Sequence, residues 1–74
     1  MMVHAREPDP PSVWYFHEGV RWRVSERDAR GDPGALRDWC LIFASDEAVR
    51  RVWEYPPYWR RLSREALIAL SWGR

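Results

Sequence analysis

The 74-residue chain contains no lysine, asparagine, glutamine or threonine, and its only cysteine is Cys40. A single cysteine excludes an intrachain disulfide and a zinc site built from several cysteines. The missing residues, together with the use of alanine, arginine, glycine and proline, match the composition that a GC-rich genome favours. The absence of lysine therefore has an ordinary compositional explanation, and the sequence leaves open whether the arginines also have a functional one.

Long apolar runs and a strong net charge are also missing. No stretch approaches the roughly 18 apolar residues that cross a bilayer, and residues 1–12 lack the hydrophobic segment of a secretory signal. The formal charge is +1, from twelve arginines and eleven acidic residues. Such a balance gives no uniform field to attract nucleic acid or an anionic membrane. We therefore expect a cytoplasmic protein that does not bind a membrane.

The chain is rich in tryptophan and arginine, with six tryptophans and twelve arginines. These two residue types are enriched among the buried anchors of protein interfaces, and they also pair as cation–π partners. A chain of this length forms one domain, and a domain near 60 residues buries only about 60% of its surface. We therefore expect some indoles at the rim of the core, where arginines or a partner would stack.

The sequence divides into a leader, residues 1–12, and a single small domain, residues 13–74. The leader contains three prolines and no hydrophobic periodicity, which predicts a flexible segment. Residues 13–16 and 20–24 are β-branched and aromatic, which predicts a β-hairpin. Its loop is either Glu18-Gly19 alone or three residues with Gly19 in the left-handed conformation of a bulge. We favour the three-residue loop on turn chemistry.

The loop length decides which side chains of the hairpin share a face, because a one-residue slip exchanges the two faces. With the two-residue loop, Trp14 and Phe16 lie on the face of Arg21 and Arg23. With the favoured three-residue loop, Tyr15 lies there instead. The opposite, core-facing side then carries Trp14, Phe16, Val20, Trp22 and Val24.

Residues 39–44 are apolar on both faces, which predicts a central strand covered on each side. The preceding residues 28–35 contain two glycines and a proline and predict a loop. A single helix covers only one face of a sheet. The second face needs the leader, this loop or a second copy of the chain.

The segment 45–55 is compatible with two structures. As a helix it would begin at Ser45, with acidic residues in its first turn. As a strand it would follow a tight turn over residues 45–48, and the high β-propensity of its last residues favours this alternative. Pro56-Pro57 stops whichever element precedes it.

The C-terminal residues predict a short helix that begins after Ser63, extends to about Ser71 and ends at Gly73. So short a helix is unstable alone and must dock on the sheet, with Tyr58-Trp59 as an aromatic plug at the corner. The predicted fold is α+β, a small antiparallel meander of about four strands with one C-terminal helix packed on it. If residues 46–55 were helical, the fold would have three strands and two helices.

No arrangement in the chain is typical of catalysis. His17 lies at a turn tip, where nothing orients it, and Cys40 lies in an apolar run, where a thiol keeps a high pKa. The acidic residues Asp28, Asp32 and Asp38 alternate with arginines that would neutralise a cation site. We therefore predict no catalytic residues, no metal, no cofactor and no enzymatic activity.

Two groups of residues are candidates for binding. The first, which we call the C-terminal set, combines basic and aromatic residues: Arg50, Arg51, Trp53, Tyr58, Trp59, Arg60 and Arg61. The second, the hairpin set, is Tyr15, Arg21 and Arg23. The ordinary interpretation of both is structural, with arginines lying over rings to close a small core or to stack across strands.

The leading functional hypothesis is a non-enzymatic protein-interaction module with a Trp/Arg-rich surface, whose partner is another protein or a second copy of the chain in a homodimer. The alternative is a small nucleic-acid-binding protein, in which Arg50, Arg51, Arg60 and Arg61 contact phosphates and Trp53 or Trp59 stacks on bases. The partner's identity and the oligomeric state are left open by the sequence.

Overall fold

Four strands follow one another along the chain and pair in the same order, β1 (Val13–His17), β2 (Val20–Asp28), β3 (Trp39–Ala44) and β4 (Val49–Val52). All three pairings are antiparallel. This computed structural model describes residues 12–72. The predicted flexible leader, apart from its last residue, and the predicted helix end at Gly73 lie outside that range.

A 3-10 turn (Trp59–Arg61) and the helix α1 (Arg64–Trp72) follow the sheet. The predicted α+β fold, a four-stranded meander with one C-terminal helix packed on it, is confirmed. Ser63 begins the helix as predicted, because its Oγ accepts a hydrogen bond of 3.1 Å from the backbone N–H of Ala66. No helix within residues 12–72 is long and apolar enough to cross a membrane.

Within the uncertain segment 45–55, residues 45–48 form a turn and Val49–Val52 a strand, as favoured, but the strand ends before Trp53 and Tyr55, which the prediction had included. The N–H of Ser45 donates to the carbonyl of Ala48 at 2.9 Å. The Ser45 hydroxyl accepts from the backbone N–H groups of Glu47 and Ala48, each at 3.1 Å. These two hydroxyl contacts would also serve a helix N-cap, so it is the backbone bond between Ser45 and Ala48 that closes the turn and reverses the chain into β4.

One face of the sheet carries the core, and we call it the core face. Its buried side chains come from three strands and pack against two residues of the C-terminal segment: Tyr15, Val24, Leu41, Phe43, Trp59 and Leu67. Trp59 is only 1% exposed, whereas Tyr58 beside it is exposed. Of the predicted aromatic plug, Trp59 alone enters the core.

The favoured three-residue hairpin loop is wrong. His17 pairs with Val20 and Tyr15 with Trp22, so the loop is Glu18-Gly19. Glu18 has φ 53° and Gly19 has φ 78°, the pair of left-handed conformations that matches the twist of a two-residue hairpin. The geometry of the turn, and not the hydrophobic pattern, decided the register.

The correct register turns β1 over while β2 keeps its predicted faces. Tyr15 now lies on the core face, where its ring stacks on Trp22 with 6.5 Å between the centroids. The helix supports this orientation, because a guanidinium N–H of Arg64 donates to the outward-facing carbonyl of Phe16 at 3.1 Å. Trp14 and Phe16 are left on the opposite face.

Part of that opposite face is covered by the loop between β2 and β3, one of the three covers that the sequence predicted. The N–H of Ala29 donates to the carbonyl of Asp38 at 2.7 Å and closes the base of the loop. A carboxylate oxygen of Asp32 lies 3.4 Å from the guanidinium of Arg27 in β2 and 3.7 Å from that of Arg51 in β4. The loop therefore spans β3, and Cys40 beneath it is fully buried.

Candidate functional site

The strand register defines the part of the second face that no other segment of residues 12–72 covers. Trp14, Arg23, Ala44 and Val49 are cross-strand neighbours and form one row across all four strands. Phe16 and Arg21 pair in the next row, and the Asp46-Glu47 turn lines the same groove. We call the following eight residues the open face: Trp14, Phe16, Arg21, Arg23, Ala44, Asp46, Glu47 and Val49.

Large apolar side chains of the open face remain in contact with solvent. Trp14 is 50% exposed, Phe16 60% and Val49 67%. The groove between the β1–β2 hairpin and the β3–β4 turn has a volume of about 530 Å³. Single exposed apolar residues are ordinary, but Trp14 and Phe16 are neighbours on one face of β1 beside two arginines, and an apolar patch with a polar rim is typical of an interaction site.

Two arginines of β2 hold the Trp14 ring in place. The guanidinium carbon of Arg21 lies 4.0 Å from the ring centroid, and that of Arg23 lies 5.8 Å away. Each exposed cation–π contact contributes about 0.5–1 kcal/mol. No carboxylate within residues 12–72 forms an ion pair with either arginine. The ring is therefore their main partner in this part of the chain.

The acidic side of the open face is the β3–β4 turn. Asp46 and Glu47 are exposed, and no arginine or histidine of the described chain pairs with them. The Ser45 hydroxyl stabilises this turn, because it accepts hydrogen bonds from two backbone N–H groups of the turn. The open face thus carries two cations over one hairpin and two anions over the other.

The structure separates the members of the C-terminal set that lie on β4. Arg50 pairs with Phe43, so its side chain lies on the core face, with its guanidinium carbon 4.0 Å from the Trp72 ring centroid. Arg51 lies on the opposite face, beside Asp32 and 5.8 Å from the Trp53 ring. Adjacent arginines in a strand point to opposite faces, so they form no common basic patch.

The remaining members of the C-terminal set divide between core and solvent. Trp59 is buried, and the guanidinium carbon of Arg60 lies 4.3 Å from its ring centroid as a lid. Tyr58 and Arg61 are exposed. The set as a whole is thus distributed over the core, both sheet faces and the corner of the molecule.

Arg60 also belongs to a polar contact at the edge of the core. The hydroxyl of Tyr55 donates to Glu26 at 2.7 Å, and Arg60 lies 4.0 Å from the same carboxylate. Burial, followed by the hydrogen bond to Glu26, raises the pKa of Tyr55. The Tyr55 phenol therefore stays neutral and donates its proton in a hydrogen bond to Glu26, a contact that stabilises the fold.

The hairpin set is only partly brought together. Arg21 and Arg23 share the open face, as predicted, but Tyr15 lies on the core face, where burial raises the pKa of its hydroxyl. Trp14 and Phe16 take its place beside the arginines. The Glu18-Gly19 dipeptide was the feature of the sequence that could have placed Trp14 and Phe16 on this face, because a two-residue loop gives the observed register.

The other groups that bear on chemistry are either buried or neutralised. Burial raises the pKa of Cys40, and no cluster within residues 12–72 has the histidine, cysteine or acidic residues to hold a metal ion. Two further grooves, of about 620 and 570 Å³, share a rim at Arg37 and Glu54. These two side chains hydrogen-bond to each other at 2.8 Å, so each of these two charges already has a partner.

The open face is therefore the strongest candidate site among the described residues. No protein-family model, no curated protein and no solved structure matches the chain. What this protein does must be inferred from its own surface.

Proposed function

We propose that this protein is a non-enzymatic protein-interaction module and that the open face is its binding surface. One observation carries the proposal: Trp14 and Phe16 are exposed beside two arginines that have no carboxylate partner within residues 12–72. Tryptophan and arginine dominate the energetics of protein interfaces because they combine large apolar area with hydrogen bonds or charge.

The open face is prepared for binding before a partner arrives. Trp14 stands on a paired strand and is flanked by Arg21 and Arg23 at 4.0 and 5.8 Å, so part of the freedom of its ring is already lost. Ordering a flexible side chain at an interface costs about 0.5–1.5 kcal/mol. A ring already held by its neighbours avoids part of that cost.

Two features of the open face favour protein over nucleic acid as the ligand. Arg21 occupies one side of the Trp14 ring, where a base would have to stack. The carboxylates of Asp46 and Glu47 line the same groove and would repel phosphates. We also propose that the protein is cytoplasmic. The single cysteine supports this location, because disulfide bonds are typical of oxidising compartments.

The test uses surface variants that leave the core unchanged. F16S and V49S remove exposed apolar contacts from the open face, while L36S and Y58S do so elsewhere on the surface and serve as matched controls. Proteins enriched with the wild-type chain from its source cells are purified and titrated against each variant by calorimetry. We expect F16S and V49S to weaken binding at least tenfold, and the controls to bind as the wild type does.

Two outcomes would overturn the proposal. One is a purified partner that binds all four variants equally well, because the open face would then be irrelevant to recognition. The other is the absence of any protein ligand together with quenching of tryptophan fluorescence by single-stranded RNA at low salt. Steep loss of that quenching with added salt would establish the nucleic-acid alternative.

A further inference from the structure

We infer that the partner of the open face is the open face of a second copy, in a face-to-face dimer with two-fold symmetry. This inference rests on the proposed function and adds the identity of the partner. A two-fold interface requires a self-complementary surface, in which the contacts made by one half are returned by the other. The layout of the open face meets that requirement.

Two apolar residues of the open face, Trp14 and Val49, are arranged to pair across such an axis. Consider a two-fold axis that runs parallel to the strands, between β2 and β3. It places β1 of one copy over β4 of the other. In the row Trp14, Arg23, Ala44 and Val49, Trp14 then meets Val49 of the second copy. Exposed apolar surface on both sides of the axis would be buried, and two sheets can pack face to face in this way.

The charges follow the same symmetry. The two cations lie on β2, on one side of the axis, and the two anions lie in the β3–β4 turn, on the other side. Both hairpin turns are at the same end of the sheet, so the rotation brings Arg21 of one copy over the acidic turn of the other. The contact is made twice. Within residues 12–72, neither charge pair has an intramolecular ion-pair partner to compete with it.

The covering loop limits the size of this interface. Only the half of the second face near the hairpin turns is open, because Asp32 bridges Arg27 and Arg51 over the other half. A standard stable interface takes about 800 Å² from each partner, and a half-covered sheet of four short strands offers less. We therefore expect a reversible dimer with a micromolar dissociation constant that weakens with salt.

The test is a charge exchange, measured on the full chain by sedimentation equilibrium from low micromolar to millimolar concentration. The wild type should pass from monomer to dimer and assemble no further. R21E/R23E places four acidic residues on the open face, and D46R/E47R places four basic ones there. Each variant alone should be monomeric, with dimerisation weakened at least tenfold. An equimolar mixture of the two should restore a dimer, because opposite charges then face each other at both contacts.

Control measurements separate this pairing from misfolding and from general charge effects. R61E changes an exposed arginine away from the open face and should dimerise as the wild type does. Circular dichroism should show the same fold for every variant. Restoration on mixing supports the pairing when circular dichroism shows that both mixed variants are folded.

The inference is overturned if the wild type stays monomeric at millimolar concentration, or if the mixed variants do not associate. It is also overturned if R21E/R23E dimerises as well as the wild type. A monomeric chain whose F16S and V49S variants lose affinity for a different purified protein would remove self-pairing but leave the proposed function standing. The two proposals therefore fail separately.

Discussion

Phe43 and Phe16 are the same side chain on opposite faces of one sheet, yet Phe43 is 0% exposed and Phe16 is 60% exposed. Phe43 lies on the core face, where the C-terminal segment brings Trp59 and Leu67 against it. Phe16 lies on the open face, which no segment within residues 12–72 covers at that end. The comparison shows that burial in this protein depends on which face has a cover.

Tryptophan–arginine pairs occur on both sides of this division. Arg60 lies 4.3 Å from the ring centroid of Trp59, and Arg21 lies 4.0 Å from that of Trp14. Trp59 is buried in the core, so Arg60 covers the outer side of a ring that is already packed. Trp14 is half-exposed, so the same chemistry leaves a ring with area still to bury. The geometry of the pair is alike, but its surroundings give it a different use.

The largest expected effect comes from removing the two phenylalanine rings one at a time. F43A should lower the free energy of unfolding by about 3–5 kcal/mol, because it leaves a cavity in the core. F16A should change it by no more than about 0.5 kcal/mol, as exposed substitutions usually do. Guanidinium denaturation followed by tryptophan fluorescence measures both. Equal losses for the two variants would contradict the assignment of their faces.

The next effect tests the turn that sets the register of β1. G19A should destabilise the protein by about 1–2 kcal/mol, the cost of a left-handed conformation for a residue with a Cβ. The cost is torsional, because no atom beyond Gly19 and its two chain neighbours lies within 4 Å of the added Cβ. E18N should instead stabilise the protein, since asparagine followed by glycine is the preferred sequence of this turn. Thermal unfolding shows whether each substitution stabilises or destabilises the protein. A stabilising G19A would rule out the two-residue turn.

A smaller effect distinguishes the covered half of the second face from the open face. Cys40 is buried under the loop that Asp32 fastens to Arg27 and Arg51. D32A should free the loop and accelerate labelling of the Cys40 thiol by a soluble disulfide reagent severalfold. D38A, in the same loop but without an ion pair among the described residues, is the matched control. Unchanged labelling in D32A would mean that another contact holds the cover.

The smallest effect concerns the exposed pair Asp28 and Arg30 at the start of that loop. The Arg30 side chain hydrogen-bonds to the carboxylate and lowers the pKa of Asp28 to about 2. A folded-state pKa below the ordinary value of about 3.9 stabilises the protein above that pH, and this contribution is lost as the pH falls through 2. An NMR titration of the Asp28 carboxyl should show this pKa, and R30A should return it toward the ordinary value. A wild-type Asp28 that titrates normally would refute the pair.

Local sequence signals predicted most of the fold. The β-branched and aromatic runs marked the strands, Ser63 marked the start of the helix, and the propensity of residues 49–55 favoured a strand over a helix. The candidate site was predicted less well. Arg21 and Arg23 were placed on an outer face correctly, but Trp14 and Phe16 beside them were assigned to the core. The error came from the turn chemistry that favoured a three-residue loop with Gly19 in a bulge, because a one-residue slip exchanges the two faces of the hairpin.

The sequence by itself determined the order of the elements, the near-neutral charge and the surplus of indole rings, because these follow from composition and from interactions between neighbouring residues. Only the tertiary structure decided which rings are buried, because burial depends on strand register and on which distant segment covers each face. The turn of two left-handed residues placed Tyr15 of β1, and not Trp14 and Phe16, on the core face. The loop that Asp32 fastens covers half of the second face. Within residues 12–72, the open face is what the turn and the loop leave uncovered.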